Sequence, residues 1–268
     1  MTCCIFVLMK TIPFYKYQGT GNDFIIIDNR QHIFDKNSTH KIEKLCDRKF
    51  GIGADGLMLL ENHDQLDFTM VYYNADGNES TMCGNGGRCL VHFAQHLGIV
   101  QDKASFEAID GIHHAHLYAN GEVSLQMSNV SSLQVFDGHV FTNTGSPHHV
   151  QLTDNVEHTD VVSQGRHLRN TLYGKEGANI NFVEPQGGNL FKVRTYERGV
   201  EDETLSCGTG VTAVALAMHH TQQTDDHQVQ LRTPGGDLKV KYQPTPGGYK
   251  DIWLTGAATQ VFKGEVLI

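Results

Sequence analysis

The sequence predicts an α+β fold of two pseudo-symmetric lobes, each a mostly antiparallel sheet wrapped around a buried central helix. Three observations predict it. The chain repeats itself at one fixed offset, each repeat runs through the same order of strand, turn and helix, and the helix of the second repeat is apolar nearly all round.

The repeat is carried by separated segments. Thr20-Gly21 returns as Thr144-Gly145, and Gly53-Ala54 returns as Gly177-Ala178, with Asp55 matched by Asn179. Tyr72 matches Tyr196, Cys83-Gly84 matches Cys207-Gly208, and Gly86 matches Gly210. Every pair is 124 positions apart. One shared dipeptide is common by chance; a single offset held across four segments is not. Two homologous lobes are expected, residues 9–130 and 131–268, with the final strand, 260–268, able to pack on the first.

In the first lobe, Phe24-Ile25-Ile26-Ile27 is a β-branched run after a Gly-rich turn, and residues 67–73 alternate as a strand does. Asn74-Ala75-Asp76-Gly77-Asn78 has turn chemistry. Met82-Cys83-Gly84-Asn85-Gly86-Gly87 then leads into a helix in which Leu90, Phe93, Ala94 and Leu97 share one face and Gly98 provides the stop. The second lobe repeats this with a strand at 190–196, a turn at 199–203, and Cys207-Gly208-Thr209-Gly210 opening a helix over 211–219. Further strands are expected at 111–117, 122–127, 237–242 and 252–254.

Composition bounds the function. The 268 residues are 39% hydrophobic and 19% charged, as in a globular protein with a proper core. A net charge of −9 implies no basic face and so argues against nucleic-acid and membrane-surface partners. The sixteen histidines lack metal-ligand spacing, and pairs such as His113-His114 and His219-His220 read as solvated; no metal is expected. Six cysteines without a C-x-x-C pair are too few for a disulfide scaffold and fit a reducing, cytoplasmic compartment. Residues 1–9 are apolar but lack a basic start and a cleavage site, so Met9 is expected as the natural start, or these residues as an extension of the first strand.

Cys83 and Cys207 stand where chemistry is favoured. A helix N-terminus presents unpaired N–H groups and about half a positive charge, which together stabilise a thiolate and lower its pKa. The glycines that follow let backbone N–H groups approach an anion closely. Taken singly, either cysteine reads by default as a structural thiol; the repeat symmetry and shared Gly-rich context reverse that. Two such helices facing one another place two thiols on opposite sides of a ligand, with both N-termini able to grip one carboxylate. That arrangement suits inversion of an amino-acid α-carbon, in which a thiolate removes a proton from one face and a thiol delivers one to the other. Charge developing on the carboxylate is stabilised by the helix N-termini, so no electron-sink cofactor is needed. Cys3, Cys4, Cys46 and Cys89 are expected to be inert.

The segments Gly19-Thr20-Gly21-Asn22-Asp23-Phe24, Asn74-Ala75-Asp76-Gly77, Met82-Cys83-Gly84-Asn85-Gly86, Tyr196-Glu197-Arg198-Gly199 and Cys207-Gly208-Thr209-Gly210 resemble the diaminopimelate epimerase family in order and spacing, from about residue 14 onward. The resemblance implies interconversion of LL- and meso-diaminopimelate, for lysine and peptidoglycan precursors, without pyridoxal phosphate or metal. It implies Cys83 and Cys207 as the acid/base pair. It implies Gly84, Asn85, Gly208 and Thr209 around the reacting carboxylate, with Asn22, Asn74, Asn179, Glu197 and Arg198 also binding substrate. Arg198 suits the distal carboxylate, which a guanidinium grips bidentately. Without the resemblance, Glu197-Arg198 reads as a surface charge pair and the asparagines as turn residues.

Three positions depart from the family pattern. Ser146 stands before Pro147-His148 where an asparagine is common, leaving His148 to assist a cysteine. Gly56 stands where a glutamine is common and carries no binding role. Phe262 stands where a tyrosine associated with dimer contacts is common, so a homodimer is compatible but not required. Alternatives are a proline or hydroxyproline racemase, whose first motif usually has His where this chain has Asn85, and a non-catalytic dithiol redox sensor. A phenazine-biosynthesis-like isomerase shares the fold but lacks the cysteine pair.

Overall fold

A computed structural model describes residues 10–268; the expectations for residues 1–9, including Cys3 and Cys4, lie outside the described residues. The first lobe runs β1 (Thr11–Gly19), β2 (Asn22–Asp28), α1 (Thr39–Cys46), β3 (Gly56–Glu61), β4 (Phe68–Asn74), α2 (Gly84–His96), β5 (Lys103–Ala108), β6 (Gly111–Leu117) and β7 (Glu122–Met127). The second continues with β8 (Gln134–Phe136), β9 (His139–Asn143), β10 (Pro147–Leu152), α3 (Val161–Tyr173), β11 (Asn179–Pro185), β12 (Leu190–Glu197), β13 (Asp202–Thr204), α4 (Gly208–His220), β14 (Gln228–Thr233), β15 (Gly236–Thr245), β16 (Gly248–Ala257) and β17 (Thr259–Leu267).

Strand pairing is duplicated step by step. In the first lobe β1–β2 is antiparallel, β2–β3 parallel, β3–β4 antiparallel, β4–β5 parallel, and β5–β6–β7 antiparallel. The second lobe gives the same series through β9, β10, β11, β12, β14, β15 and β16. Each sheet is therefore mostly antiparallel, as the sequence predicts. The last strand, β17, lies antiparallel on β1, the place that β8 takes beside β9 in the other lobe. The two sheets are joined where β7 pairs with β16.

Each sheet curls around one helix. Val211 through Met218 of α4 are all buried, because a Val-Thr-Ala-Val-Ala-Leu-Ala-Met run has no polar face to offer solvent. Its one hydroxyl, on Thr212, is satisfied by donating to the Gly208 carbonyl at 2.9 Å. In α2, Leu90, Phe93 and Ala94 pack with Phe24, Met58, Phe68 and Phe106, and Gly98 stops the helix with φ +72°. Truncating Phe93 to Ala in that packing costs about 3–5 kcal/mol. The turn expected at 199–203 is shorter than that, because β13 pairs back on β12 from Asp202. Among the described residues no helix is long and apolar enough to cross a membrane.

Candidate active site

The two buried helices meet at their first residues. A β-carbon on Gly208 would lie 3.7 Å from the Gly84 α-carbon, and one on Gly84 would lie 3.9 Å from that of Gly208. Only residues without side chains let the backbones approach so closely while keeping their N–H groups free to meet a ligand. Leu254 of β16 packs on both glycines. Cys83 and Cys207 occupy the residue before each helix in extended conformation, so each thiol stands at a helix N-terminus beside the junction.

Both thiols are free, Cys83 half-buried and Cys207 9% exposed. Their ionisation departs from the expectation that the helix N-terminus lowers it. Burial pushes the Cys207 thiol up to about 12 and pushes Cys83 up as well, and the carboxylate of Glu197 adds to both. The opposing donors include the backbone N–H groups foreseen at a helix N-terminus, Asn85 and Gly86 at Cys83 and Gly210 at Cys207, and one not foreseen, the Thr209 hydroxyl at Cys207. The helix effect is present, but loss of water outweighs it. Cys46 and Cys89 are buried in the core, each pushed up to about 12 by burial.

Support for the site is itself duplicated. Asn22 Nδ2 donates to Asp55 Oδ2 at 3.0 Å, and Asn179 Nδ2 donates to Ser146 Oγ at 3.0 Å. Residues 22 and 146, like 55 and 179, are related by the 124-residue repeat. Ser146, which departs from the family asparagine, thus keeps the pairing of its counterpart. Thr20 likewise contacts Asn85 at 3.3 Å, as Thr144 donates to the Thr209 carbonyl at 2.8 Å. Asn85 also donates to Asn22 Oδ1 and, at 3.2 Å, to the Ser206 carbonyl, tying the lobes together.

His148 is fully buried, and burial pushes its pKa down to about 3, so it is neutral at physiological pH. Its Nδ1 lies 3.3 Å from Asn181 Nδ2, and its Nε2 lies 2.9 Å from Thr209 Oγ1 and 3.5 Å from Asn179 Nδ2. That hydroxyl lies 3.5 Å from Cys207 Sγ. His148 therefore reaches the cysteine through Thr209 and not directly.

The remaining expected residues are placed unequally. Glu197 is partly buried at the end of β12, its carboxyl raised by burial and by Asp55 against the Thr204 hydroxyl, and its charge is felt by both cysteines. Arg198 is exposed; its N–H donates to Asn179 Oδ1 at 2.9 Å and its guanidinium to the Glu176 carbonyl at 3.0 Å and Ser146 Oγ at 3.4 Å. Asn74 is exposed at the end of β4, opposite Gly56, and its side chain makes no hydrogen bond among the described residues.

Sequence reasoning missed Thr20, Ser206 and Arg88. Thr20 has φ +48°, a strained conformation for a β-branched residue, and is held by contacts to Asn85, Ser206 and Arg88. Its position in the repeat was visible, but nothing local marks a side chain that crosses between lobes. A groove of 760 Å³ around Trp253, Lys241 and His116 lies on the outer face of the sheet junction and includes neither cysteine. Among the described residues no group of three or more His, Cys, Asp or Glu could hold a metal ion.

Two lobes of one design, each a sheet curled around a central helix, define a two-lobed, pseudo-symmetric α+β fold, and here each helix has a thiol at its N-terminus. The chain resembles a phenazine biosynthesis protein of the PhzF family from Bacillus anthracis at TM-score 0.78, with 16% identity and 97% and 100% of the two chains covered. It also resembles a hydroxyproline epimerase from Agrobacterium vitis at TM-score 0.66, with 14% identity and 96% and 93% covered. At such identities these likenesses show the fold alone. The diaminopimelate epimerase family model matches residues 14–133 and 140–260. A diaminopimelate epimerase of Flavobacterium psychrophilum is 56% identical over 253 residues, covering 94% of this chain and 99% of its own. One from Aquifex aeolicus is 38% identical over 275 residues, covering 95% and 98%. The chain belongs to the diaminopimelate epimerase family.

Proposed function

We infer that this protein is an amino-acid epimerase that interconverts LL- and meso-2,6-diaminopimelate by a two-cysteine mechanism, serving lysine and peptidoglycan precursor synthesis. The observation that carries the mechanism is the meeting of α2 and α4 at Gly84 and Gly208, with a thiol at the head of each helix. One cysteine, as thiolate, takes the α-proton and becomes a thiol. The other, as thiol, gives a proton to the opposite face and becomes the thiolate. The pair thus exchanges protonation states with each inversion, and the reverse reaction starts from the exchanged state.

The reacting carboxylate is held by the N–H groups of Gly84, Asn85, Gly208 and Thr209, where two helix N-termini stabilise the charge that builds up as the proton leaves. Glu197 receives the neighbouring ammonium group. That cation also opposes the carboxylate charge that raises both thiols, so substrate binding favours the thiolate it needs. Arg198, set by Asn179, takes the distal carboxylate, with Asn22 and Asn74 lining the site. His148 assists Cys207 through the Thr209 hydroxyl. The lobes divide at 130/131, with β17 of the second packed on β1 of the first; the compartment is the cytoplasm, and a homodimer is compatible with the exposed Phe262 on β17.

The test is incubation with LL-diaminopimelate in deuterated water. Formation of the meso isomer with deuterium at the inverted carbon supports the function. Inversion of proline in its place, or no exchange with either amino acid, contradicts it, and the latter leaves the dithiol sensor.

A further inference from the structure

Arg88 lies one turn into α2, 0% exposed, and among the described ion pairs no carboxylate stands against it. Its guanidinium donates to the Gly84 carbonyl at 3.3 Å, to Thr20 Oγ1 at 3.0 Å and to Asn85 Oδ1 at 3.0 Å. Its Nε is buried without a partner. Room for the group is left by Gly256 of β16, where a β-carbon would lie 3.2 Å from Nε and 3.3 Å from Cζ. Burial pushes its pKa down, yet a guanidinium stays charged in proteins. A buried cation without a counter-charge is destabilising, so a protein that keeps one gains from its charge elsewhere.

The three acceptors say where. Gly84 and Asn85 are the first two residues of the helix that starts at Cys83, and Thr20 is the strained residue that bridges the lobes. With its Oδ1 held by Arg88, the Asn85 amide can turn only its Nδ2 toward Asn22 and the Ser206 carbonyl. The epimerisation meanwhile brings a thiolate and a carboxylate to this helix end. The cation on the other side, Arg198, is exposed and engaged at Glu176 and Ser146.

Resting on the epimerase reading, we propose that Arg88 is a positioning residue: it fixes Asn85 and the first turn of α2, and its buried charge favours the thiolate of Cys83 and the reacting carboxylate beside it. Besides the backbone N–H groups of Asn85 and Gly86, which favour the thiolate, the side chains that act on Cys83 oppose its ionisation or are neutral thiols and phenols: Glu197 from β12, Tyr72 from β4, Cys89 from α2 and Cys207 from α4. Arg88 is the charged side chain that works the other way.

The experiment compares the native full-length protein with Arg88→Gln and Arg88→Lys. Each is alkylated with iodoacetamide across a pH series, and the Cys83 peptide is quantified by mass spectrometry, with circular dichroism to check folding. Arg88→Gln is expected to raise the midpoint for Cys83 by about one pH unit or more, as loss of a nearby opposite charge does, while Arg88→Lys keeps it near the native value. In the epimerase assay kcat is expected to fall ~100-fold in Arg88→Gln and to recover in part in Arg88→Lys. A native midpoint in Arg88→Gln, or a rise in Arg88→Lys equal to that in Arg88→Gln, overturns the proposal. Should Arg88→Gln not fold, Arg88→Lys decides alone: a native midpoint supports the charge, and a rise of about a unit refutes it. Failure of the native protein to exchange the substrate α-hydrogen would instead sink the epimerase reading, whatever the midpoints.

Discussion

Gly84 and Gly208 are packed backbone against backbone, a β-carbon on the second falling 3.7 Å from the α-carbon of the first. The contact brings two helix N-termini to one point from opposite lobes, which neither helix could achieve with a side chain at its first position. The same β-carbon on Gly208 would press to 3.0 Å from Leu254 Cδ2, against 3.5 Å for one on Gly84. Gly208→Ala is therefore expected to destabilise by ~1–2 kcal/mol and Gly84→Ala by less, both measurable by urea unfolding. Equal costs, or a stabilised Gly208→Ala, would mean the junction is looser than these distances imply.

Thr209 stands between His148 and Cys207. Thr209→Val keeps the shape and removes the hydroxyl, leaving buried His148 Nε2 without that partner at a cost of about 1–3 kcal/mol. It also removes a donor that favours the Cys207 thiolate, so alkylation of Cys207 should need higher pH than in the native protein. An alkylation profile unchanged for Cys207 would separate His148 from the chemistry.

Burial of the Cys207 thiol couples folding to alkaline pH. Its pKa rises from 9.0 to about 12 on folding, so the fold favours the neutral form. Above pH 9 the unfolded chain has lost this proton and the folded chain has not. Stability from the thiol is thus complete below pH 9 and is lost as pH climbs from there toward 12. Cys207→Ala should flatten the loss across this window by up to about 1.4 kcal/mol per pH unit, read by denaturant unfolding at each pH. A variant whose alkaline slope matches the native one would show that the thiol is already ionised when folded.

Arg198 can donate to two acceptors at once, which the single ammonium of a lysine cannot reproduce. Arg198→Lys should raise KM for diaminopimelate ~10-fold while leaving kcat within about a factor of two. Loss confined to kcat would assign this side chain to the chemical step.

Much of this was legible in the sequence because the determinants are local or repeated. The strand expected at 190–196 is β12 (Leu190–Glu197), and those expected at 111–117 and 122–127 are β6 and β7 within the same bounds. The 124-residue offset marked not only similar segments but similar contacts, as the pairs Asn22–Asp55 and Ser146–Asn179 show. What escaped depended on partners far away in sequence. Helix α3 fully buries only Val161 and Gly165, with Leu168 and Tyr173 partly covered, so its apolar stripe is thin and interrupted by a glycine. Arg88 reads as an ordinary charged residue until the fold closes Thr20 and Gly256 around it. The thiol pKa values went the other way from expectation because helix N-termini are visible in a sequence and desolvation is not.

The measurement closest to the heart of the account is deuterium exchange and inversion of LL-diaminopimelate by Cys83→Ala and Cys207→Ala, each made alone and checked for native circular dichroism. Two thiols working from opposite faces predict that inversion falls by about 10⁴-fold in each variant, because either lost partner leaves proton transfer on one face only. A folded single variant that inverts the substrate at the native rate would contradict the mechanism outright.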